Sequence, residues 1–101
     1  MTLRAYDWDR TLFDGGVVPQ EPFIVISGRT WNEWDDGLRA MSQRCPVYIR
    51  GVGAYGDHQH AGRFKAMMIN FLGVTEFYED RDDQIAIIEA QCPNCKVIKV
   101  G

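Results

Sequence analysis

The chain has 101 residues, of which 46% are hydrophobic and 25% are charged, and its formal net charge is −3. This length supports one hydrophobic core, so we expect a single domain over residues 1–101. The negative net charge excludes the strongly basic footprint of a protein that coats nucleic acid without sequence preference. The net charge does not exclude a local basic patch.

The sequence carries no sign of membrane insertion or secretion. No segment approaches the roughly 20 apolar residues of a membrane span, and the first residues do not combine a basic segment with an apolar core. The three cysteines are an odd number and too few for a disulfide framework, which is typical of a reducing compartment. We therefore expect a cytoplasmic protein with no membrane partner.

Five short segments have the composition of buried strands. They are residues 2–6, 23–27, 46–50, 75–79 and 96–100. Asp7 directly follows the first segment, and Gly28 directly follows the second, "FIVIS". Residues 51–62, "GVGAYGDHQHAG", have no periodicity and predict a long loop, of a length that is usually functional or disordered.

Three segments between these strands have helical patterns. Thr30 and Glu33 predict a capping box, after which apolar side chains recur at spacings of three and four to about Arg44. These side chains, expected in the core, are Trp31, Trp34, Leu38 and Met41. A second apolar face consists of Phe64, Met67, Met68, Phe71 and Leu72 and stops at Gly73. Residues 82–91 predict a third helix, with Asp82 and Asp83 as its cap rather than as metal ligands.

The alternation of strands and helices predicts an α/β fold. We expect a doubly wound, Rossmann-like and mostly parallel five-stranded sheet with helices on both faces and no cap domain. Only the first connection, residues 7–22, has no predicted helix. In such folds ligands bind beyond the carboxyl ends of the strands.

Charged and hydroxyl side chains follow three of the predicted strands. Asp7 and Asp9 follow the first, Ser27 ends the second, and Glu79 and Asp80 end the fourth. Converging carboxylates repel one another strongly in a medium of low dielectric constant, so the arrangement predicts a cation among them. Because the donors are hard oxygen atoms, with no thiolate or histidine at the strand ends, Mg²⁺ is the favoured ion.

A phosphoryl-transfer reaction would use such a set of groups. One carboxylate attacks phosphorus, while the metal and Lys65 neutralise the phosphoryl oxygens. Lys65 comes from the helix predicted between the third and fourth strands. The second aspartate protonates the leaving oxygen and later activates water.

Four motifs follow one another in the order found in a known enzyme family. They are "DWDRT" (7–11), "ISGRT" (26–30), Lys65 and "YEDR" (78–81). In this order they resemble the motifs of the haloacid dehalogenase superfamily of phosphohydrolases, over almost the whole chain. The resemblance implies a Mg²⁺-dependent phosphatase that works through an aspartyl-phosphate intermediate.

The resemblance implies a role for each motif residue. Asp7 would be the nucleophile, Asp9 the general acid and base, and Thr11 a support of the loop. Ser27 would donate a hydrogen bond to the phosphate, and Lys65 would neutralise phosphate and nucleophile. Asp80, helped by Glu79 or Asp83, would hold Mg²⁺ together with Asp7 and the backbone carbonyl of Asp9.

A narrower resemblance is to the 3′-phosphatase domains of phage polynucleotide kinases. The shared features are "SGR" at 27–29, "GD" at 56–57, eight residues before Lys65, and "EDR" at 79–81. It implies a nucleic-acid 3′ end, or alternatively a nucleotide, as the phosphorylated substrate. Substrate contacts are then expected from Arg10, Thr11, Gly28 and Arg29, with Arg10 standing where that family usually has a glycine.

Two other classes of protein use related residues. A phosphoryl-accepting receiver domain would carry its aspartate at the third strand and its lysine after the last, whereas here "VYIR" supplies no aspartate and Lys65 precedes the fourth strand. A catalytically idle binding module that needs a partner stays open as the alternative. Exposed sheet edges and the apolar content also leave a homodimer open.

The remaining polar motifs have ordinary interpretations. "CPNC" at 92–95 follows the end of a helix and, with Cys45, gives no familiar zinc spacing, which argues against a metal or redox site. His58 and His60 are expected to be solvated or to touch substrate phosphate. Five arginines near predicted loop ends could steer a polyanion: Arg10, Arg29, Arg50, Arg63 and Arg81.

Overall fold

The computed structural model describes residues 2–54 and 56–101, and in these residues strands and helices alternate along the chain. The strands are β1 (Arg4–Tyr6), β2 (Phe23–Thr30), β3 (Val47–Gly51), β4 (Glu76–Glu79) and β5 (Lys96–Lys99). The helices are α1 (Asp36–Ser42), α2 (His58–Leu72) and α3 (Asp82–Gln91), and a 3₁₀ turn spans Trp31–Glu33. Within the same residues, no helix is both long and apolar enough to cross a bilayer.

The described residues form one five-stranded parallel sheet in the order β3-β2-β1-β4-β5. In the central strand, Arg4 pairs with Phe23 of β2 on one side and with Glu76 of β4 on the other. The strand order therefore reverses beside β1, which is where doubly wound folds open a crevice. The predicted α/β class is confirmed, and residues 2–54 and 56–101 contain no cap domain.

The helices cover both faces of the sheet. On one face α2 and α3 pack over Ala5, Ile26 and Phe77. On the other, Leu38 of α1 packs with Tyr6 and with residues of β2. Successive strand residues point to opposite faces, which is why Ala5 and Tyr6 belong to different clusters.

The first predicted helix is wrong in its first part. Glu33 accepts a hydrogen bond from the backbone N–H of Thr30 at 2.9 Å, as the capping box predicts, but the 3₁₀ turn ends at Trp34 in an extended conformation. A new helix then begins at Asp36 with Asp35 as its N-cap. This break shifts the helical phase, so Trp31 is 66% exposed rather than in the core, while Trp34 is half-buried against it.

Two predicted boundaries are also wrong. Strand β2 continues through Gly28 to Thr30, with an irregular register after Ser27. Helix α2 begins at His58, so the predicted loop 51–62 is helical over its last residues; Tyr55 lies outside the described residues. The helix starts there because the side chain of Asp57 accepts a hydrogen bond from the backbone N–H of His60.

The remaining helix boundaries agree with the sequence. Helix α2 ends at Leu72, and Gly73 adopts the left-handed conformation that terminates helices, with φ of 75°. Helix α3 spans the predicted residues, but its N-cap is Arg81, and Asp82 and Asp83 occupy its first turn.

Candidate active site

The carboxyl ends of the central strands open into a cleft of about 510 Å³. It is lined by Asp7 and Asp9 after β1, by Arg29 in β2, by Lys65 of α2 and by Asp80 after β4. The structure thus brings together most of the polar residues that the sequence predicts at one edge of the sheet. Ser27 and Glu79 lie beneath this surface and are fully buried.

Lys65 is the central cation of the site. Only 3% of the residue is exposed, and its ammonium lies 2.9 Å from Asp7 Oδ1 and 2.7 Å from Glu79 Oε1. It also donates a hydrogen bond to Gln84 Oε1 at 2.5 Å. Burial alone lowers the pKa of this ammonium, but the two carboxylates outweigh burial and raise it above its usual value.

Three carboxyl groups meet beside Lys65. Oxygen atoms of Asp7, Glu79 and Asp80 all lie within 4.8 Å of one another. Burial raises the pKa of Asp7 well above its usual value, and partial burial together with Glu79 raises that of Asp80. Burial also acts to raise the pKa of Glu79, but the charge of Lys65 and the hydrogen bonds that Glu79 makes with Asp7, Lys65 and Asp80 together outweigh burial and hold that pKa below its usual value. With all three carboxyl groups ionised, the cluster would carry more negative charge than Lys65 balances, and an added cation would favour these ionised forms.

Asp9 lies in a different environment from Asp7. Half of its side chain is exposed, and Arg29 donates hydrogen bonds to both of its carboxylate oxygens, from Nη2 at 2.7 Å and from Nε at 3.0 Å. Arg29 also pairs with Asp35 at 2.7 Å, and its hydrogen bond with Asp9 is the main reason that its pKa is raised. The Asp9 side chain is thus held outside the cluster of Asp7, Glu79 and Asp80. Arg29 was predicted to contact substrate, but its guanidinium is bound by the carboxylates of Asp9 and Asp35.

A tight turn from Trp8 to Phe13 follows Asp7 and contains Asp9. Phe13 donates a backbone hydrogen bond to Trp8 at 2.9 Å, and Arg10 donates one to Phe13 at 2.8 Å. Arg10 has a φ of 58°, in the left-handed region that costs an L-residue roughly 1 kcal/mol or more. Thr11 is fully buried, and its Oγ1 has no hydrogen-bond partner within residues 2–54 and 56–101.

Ser27 and Gly28 lie where β2 approaches α2. The Ser27 hydroxyl oxygen accepts a hydrogen bond from the backbone N–H of Arg29 at 3.1 Å. A Cβ on Gly28 would lie 2.5 Å from the Cβ of Ala61, closer than two carbon atoms can pack. Glycine at this position therefore allows the end of β2 to contact the first turn of α2.

One site residue escaped the sequence analysis, and a second was named there only among the arginines that could steer a polyanion. Gln84 is 2% exposed and supplies the third acceptor to Lys65; its position four residues before the buried Ile88 is the helical signal that could have found it. Arg50 donates hydrogen bonds to the backbone carbonyls of Gly28 and Ala54, at 3.0 and 3.1 Å. It thereby ties β2 to the loop that precedes α2, and no local pattern marks this role.

The other arginines and the acidic residues of α3 lie around the cluster rather than in it. Arg10, Arg50 and Arg81 line the cleft with Arg29, whereas Arg63 is exposed on α2 and does not line it. Asp83 pairs with Arg81 at 3.0 Å, and Asp82 pairs with Lys99 at 2.6 Å. Neither aspartate joins the carboxylates beside Lys65 in the described part of the chain.

The histidines and cysteines take no part in the buried cluster. His58 lines the cleft as the first residue of α2, and the exposed His60 pairs with Asp57. The cysteines are free, and burial raises the pKa of Cys95 to about 11. A thiol with such a pKa is protonated at neutral pH and is a poor metal ligand or redox group.

A scan of protein-family models found no match to the chain, and searches of curated proteins and of solved structures found none either. The functional interpretation therefore depends on the residues and their geometry.

Proposed function

We propose that the protein is a Mg²⁺-dependent phosphohydrolase that cleaves phosphomonoesters through a phosphorylated Asp7. The observation that carries the proposal is the buried group of Asp7, Glu79 and Asp80 around Lys65, at the edge of the sheet where ligands bind. A separately held carboxylate, Asp9, lies in the same cleft.

Asp7 is the proposed nucleophile. Its backbone N–H donates a hydrogen bond to the carbonyl of Tyr78 at 3.0 Å, so the group is fixed between β1 and β4. One carboxylate oxygen would form a bond to phosphorus as the bond from phosphorus to the leaving oxygen breaks. The raised pKa of Asp7 means that the ionised, nucleophilic form requires nearby positive charge, and Lys65 supplies part of it.

The donor set fits Mg²⁺. Carboxylate oxygens of Asp7, Glu79 and Asp80 are the hard ligands that this ion prefers, and the backbone carbonyl of Asp9 is a further candidate ligand. When bound, the ion would supply charge neutralisation at the phosphoryl oxygens. The residues that hold it would also lose their mutual repulsion, since the added charge offsets theirs.

Asp9 is the proposed general acid and base. Its carboxyl would give a proton to the leaving oxygen and would later take one from the water that attacks phospho-Asp7. The two bonds from Arg29 orient this carboxyl. Lys65 would keep Asp7 in place throughout, because its ammonium is also anchored by contacts with Glu79 and Gln84.

Release of phosphate from p-nitrophenyl phosphate tests this proposal. We expect turnover with Mg²⁺, none with excess EDTA, and a loss of at least about 10³-fold in Asp7→Asn. Asp36→Asn is the matched control, because Asp36 is an exposed carboxylate of α1 that does not line the cleft. Turnover that survives in Asp7→Asn would refute the proposal.

The alternative is a binding module without turnover. The observation that favours it is that the ammonium of Lys65, with three N–H groups, already has three acceptors, so a phosphate would have to displace one of them. Calorimetric Mg²⁺ binding by the wild-type protein, without phosphate release from any phosphomonoester, would support this alternative.

A further inference from the structure

Gln84 presents two different groups at the buried end of the cleft. Its side-chain oxygen, Oε1, accepts a hydrogen bond from the ammonium of Lys65 at 2.5 Å. Because an ammonium has donors only, this contact determines which way the amide is turned, with Oε1 towards Lys65 and the NH₂ group away from it. The residue lines the cleft, and only 2% of it is exposed.

The NH₂ group of Gln84 is a free donor. Within residues 2–54 and 56–101 its nitrogen, Nε2, makes no hydrogen bond. In the same residues, the side-chain polar atoms that are fully enclosed without a partner are Trp8 Nε1 and Thr11 Oγ1, so Nε2 is not fully enclosed. Since Gln84 lines the cleft, the small exposed part of this residue includes Nε2 and is open to a molecule bound there.

Close packing of α3 against α2 holds Gln84 in this position. A Cβ on Gly62 of α2 would lie 3.4 Å from Cγ of Gln84 and 3.0 Å from Cδ1 of Ile87. Glycine is less favourable than alanine inside a helix, but here it lets the first turn of α3 come close enough for Gln84 to reach Lys65. The backbone N–H of Gln84 is also held, by Asp83 Oδ1 at 2.9 Å.

The other groups around Lys65 have no free hydrogen to offer a phosphate. Ionised Asp7 and Glu79 present acceptor oxygens only, and the three N–H groups of the ammonium already have three acceptors. Asp7 Oδ1 and Gln84 Oε1 lie within hydrogen-bond distance of the same nitrogen atom, so the Gln84 amide is a close neighbour of the proposed nucleophile. A phosphoryl group that reaches Asp7 therefore also comes near the free N–H groups of Gln84.

We propose that Gln84 is a catalytic residue that donates a hydrogen bond from Nε2 to a phosphoryl oxygen, while its Oε1 keeps Lys65 in place. This inference rests on the proposed phosphohydrolase activity. Lys65 contributes positive charge to the bound phosphoryl group, and Gln84 contributes the hydrogen bond. A neutral side chain suits this position, because a carboxylate would add a further negative charge beside Asp7 and Glu79 and would repel the phosphate.

Binding of inorganic phosphate in buffer that contains Mg²⁺ tests this role without turnover. Gln84→Met keeps the length and the apolar packing of the side chain but has neither polar group. Gln84→Glu keeps an oxygen for Lys65 but has no N–H when ionised. We expect calorimetry to show that phosphate affinity falls at least about 10-fold in both variants, as the loss of a hydrogen bond to a charged group implies.

A matched control comes from another glutamine of the chain. Gln43, the exposed C-cap residue of α1, does not line the cleft, so Gln43→Met should leave phosphate affinity unchanged. Affinity in Gln84→Glu or Gln84→Met that stays within about twofold of wild type would overturn the inference. Because the added charge of Gln84→Glu also weakens phosphate binding, the deciding measurement is made on the amide itself.

Nitrogen-15 NMR of the wild-type protein observes this amide directly. Each glutamine gives a pair of side-chain N–H signals, and the pair that is missing in Gln84→Met belongs to Gln84. We expect inorganic phosphate to move one proton signal of this pair downfield, with the midpoint that calorimetry gives, because hydrogen bonds to anions are short and strong. The pair from Gln43 should stay in place.

The outcomes separate this inference from the proposed reaction. A Gln84 that only holds Lys65 would keep both N–H signals unchanged while phosphate binds, and that result would overturn the inference. Wild-type protein that binds no phosphate would overturn it as well. The expected shift, found together with no phosphate release from p-nitrophenyl phosphate, would leave the role of Gln84 standing and would refute only the reaction.

Discussion

Replacing Lys65 with methionine would remove the ammonium that two buried carboxylates share. Methionine has a similar length and keeps the apolar part of the side chain, so the change mainly deletes a charge and its hydrogen bonds. Asp7 and Glu79 are 4% and 0% exposed, so water cannot solvate the charges that remain. We expect a large loss of stability in metal-free buffer.

The size of this loss follows from the burial of all three groups. Breaking a buried ion pair by removing one partner costs about 3–5 kcal/mol. Small domains have total stabilities of about 5–15 kcal/mol. Each kcal/mol lowers the Tm of a domain of this size by roughly 4–8 °C, so the Tm should fall by more than roughly 12 °C.

The loss should depend on pH with a defined sign. Lys65 now holds the pKa of Glu79 below its usual value, whereas burial already raises that of Asp7. Without Lys65, burial raises both pKa values in the folded state above their unfolded values of about 4. Groups with raised folded-state pKa values stabilise at low pH, and that stability is lost as the pH rises through those values. The deficit of the variant should therefore be smallest near pH 4 and grow towards pH 8.

Urea denaturation followed by tryptophan fluorescence at several pH values measures this deficit. Lys96→Met, at an exposed lysine of β5, is the matched control and should change the free energy of unfolding by less than about 0.5 kcal/mol. Glu79→Gln added to Lys65→Met should recover part of the loss, because one uncompensated charge disappears. A deficit of equal size at every pH would refute the electrostatic reasoning and assign the loss to packing.

Two further substitutions test the packing around the cleft. Gly28→Ala should cost about 1–3 kcal/mol in urea denaturation, because the new Cβ meets that of Ala61, and Ala61→Gly should restore most of it. Failure of the second change to compensate would contradict the predicted contact. Thr11→Val should alter the free energy of unfolding by less than about 1 kcal/mol, since the buried hydroxyl has no partner in the described residues. A loss above about 2 kcal/mol would show that Thr11 Oγ1 is hydrogen-bonded.

The sequence predicted those parts of the molecule that local patterns determine. Short β-branched runs identified the strands, and parallel strands place their carboxyl ends at one edge of a sheet. Asp7, Glu79 and Asp80 follow such runs directly, so their convergence was predictable. Lys65 was predicted to join them because it belongs to the helix between β3 and β4.

Features that depend on distant partners were not predictable in the same way. Arg29 reaches Asp9 across 20 residues of sequence because β2 extends past Gly28, and strand length is poorly encoded by composition. The exposure of Trp31 follows from a break after Glu33 that the capping box, a purely local signal, does not reveal. The contact of Gln84 with Lys65 requires the packing of α3 against α2, which exists only in the folded chain.

The two aspartates after β1 lie in different environments because the chain turns between them. In a continuous strand, residues two apart point the same way, and the two like charges would repel each other across a short gap. The turn from Trp8 to Phe13 instead leaves Asp7 buried beside Lys65 and places Asp9 on the surface beside Arg29. The two aspartates contact different cations, and of the two only Asp7 is buried. Two carboxylates in such unlike surroundings suit a nucleophile and a general acid, because one must be fixed and the other must reach the leaving group.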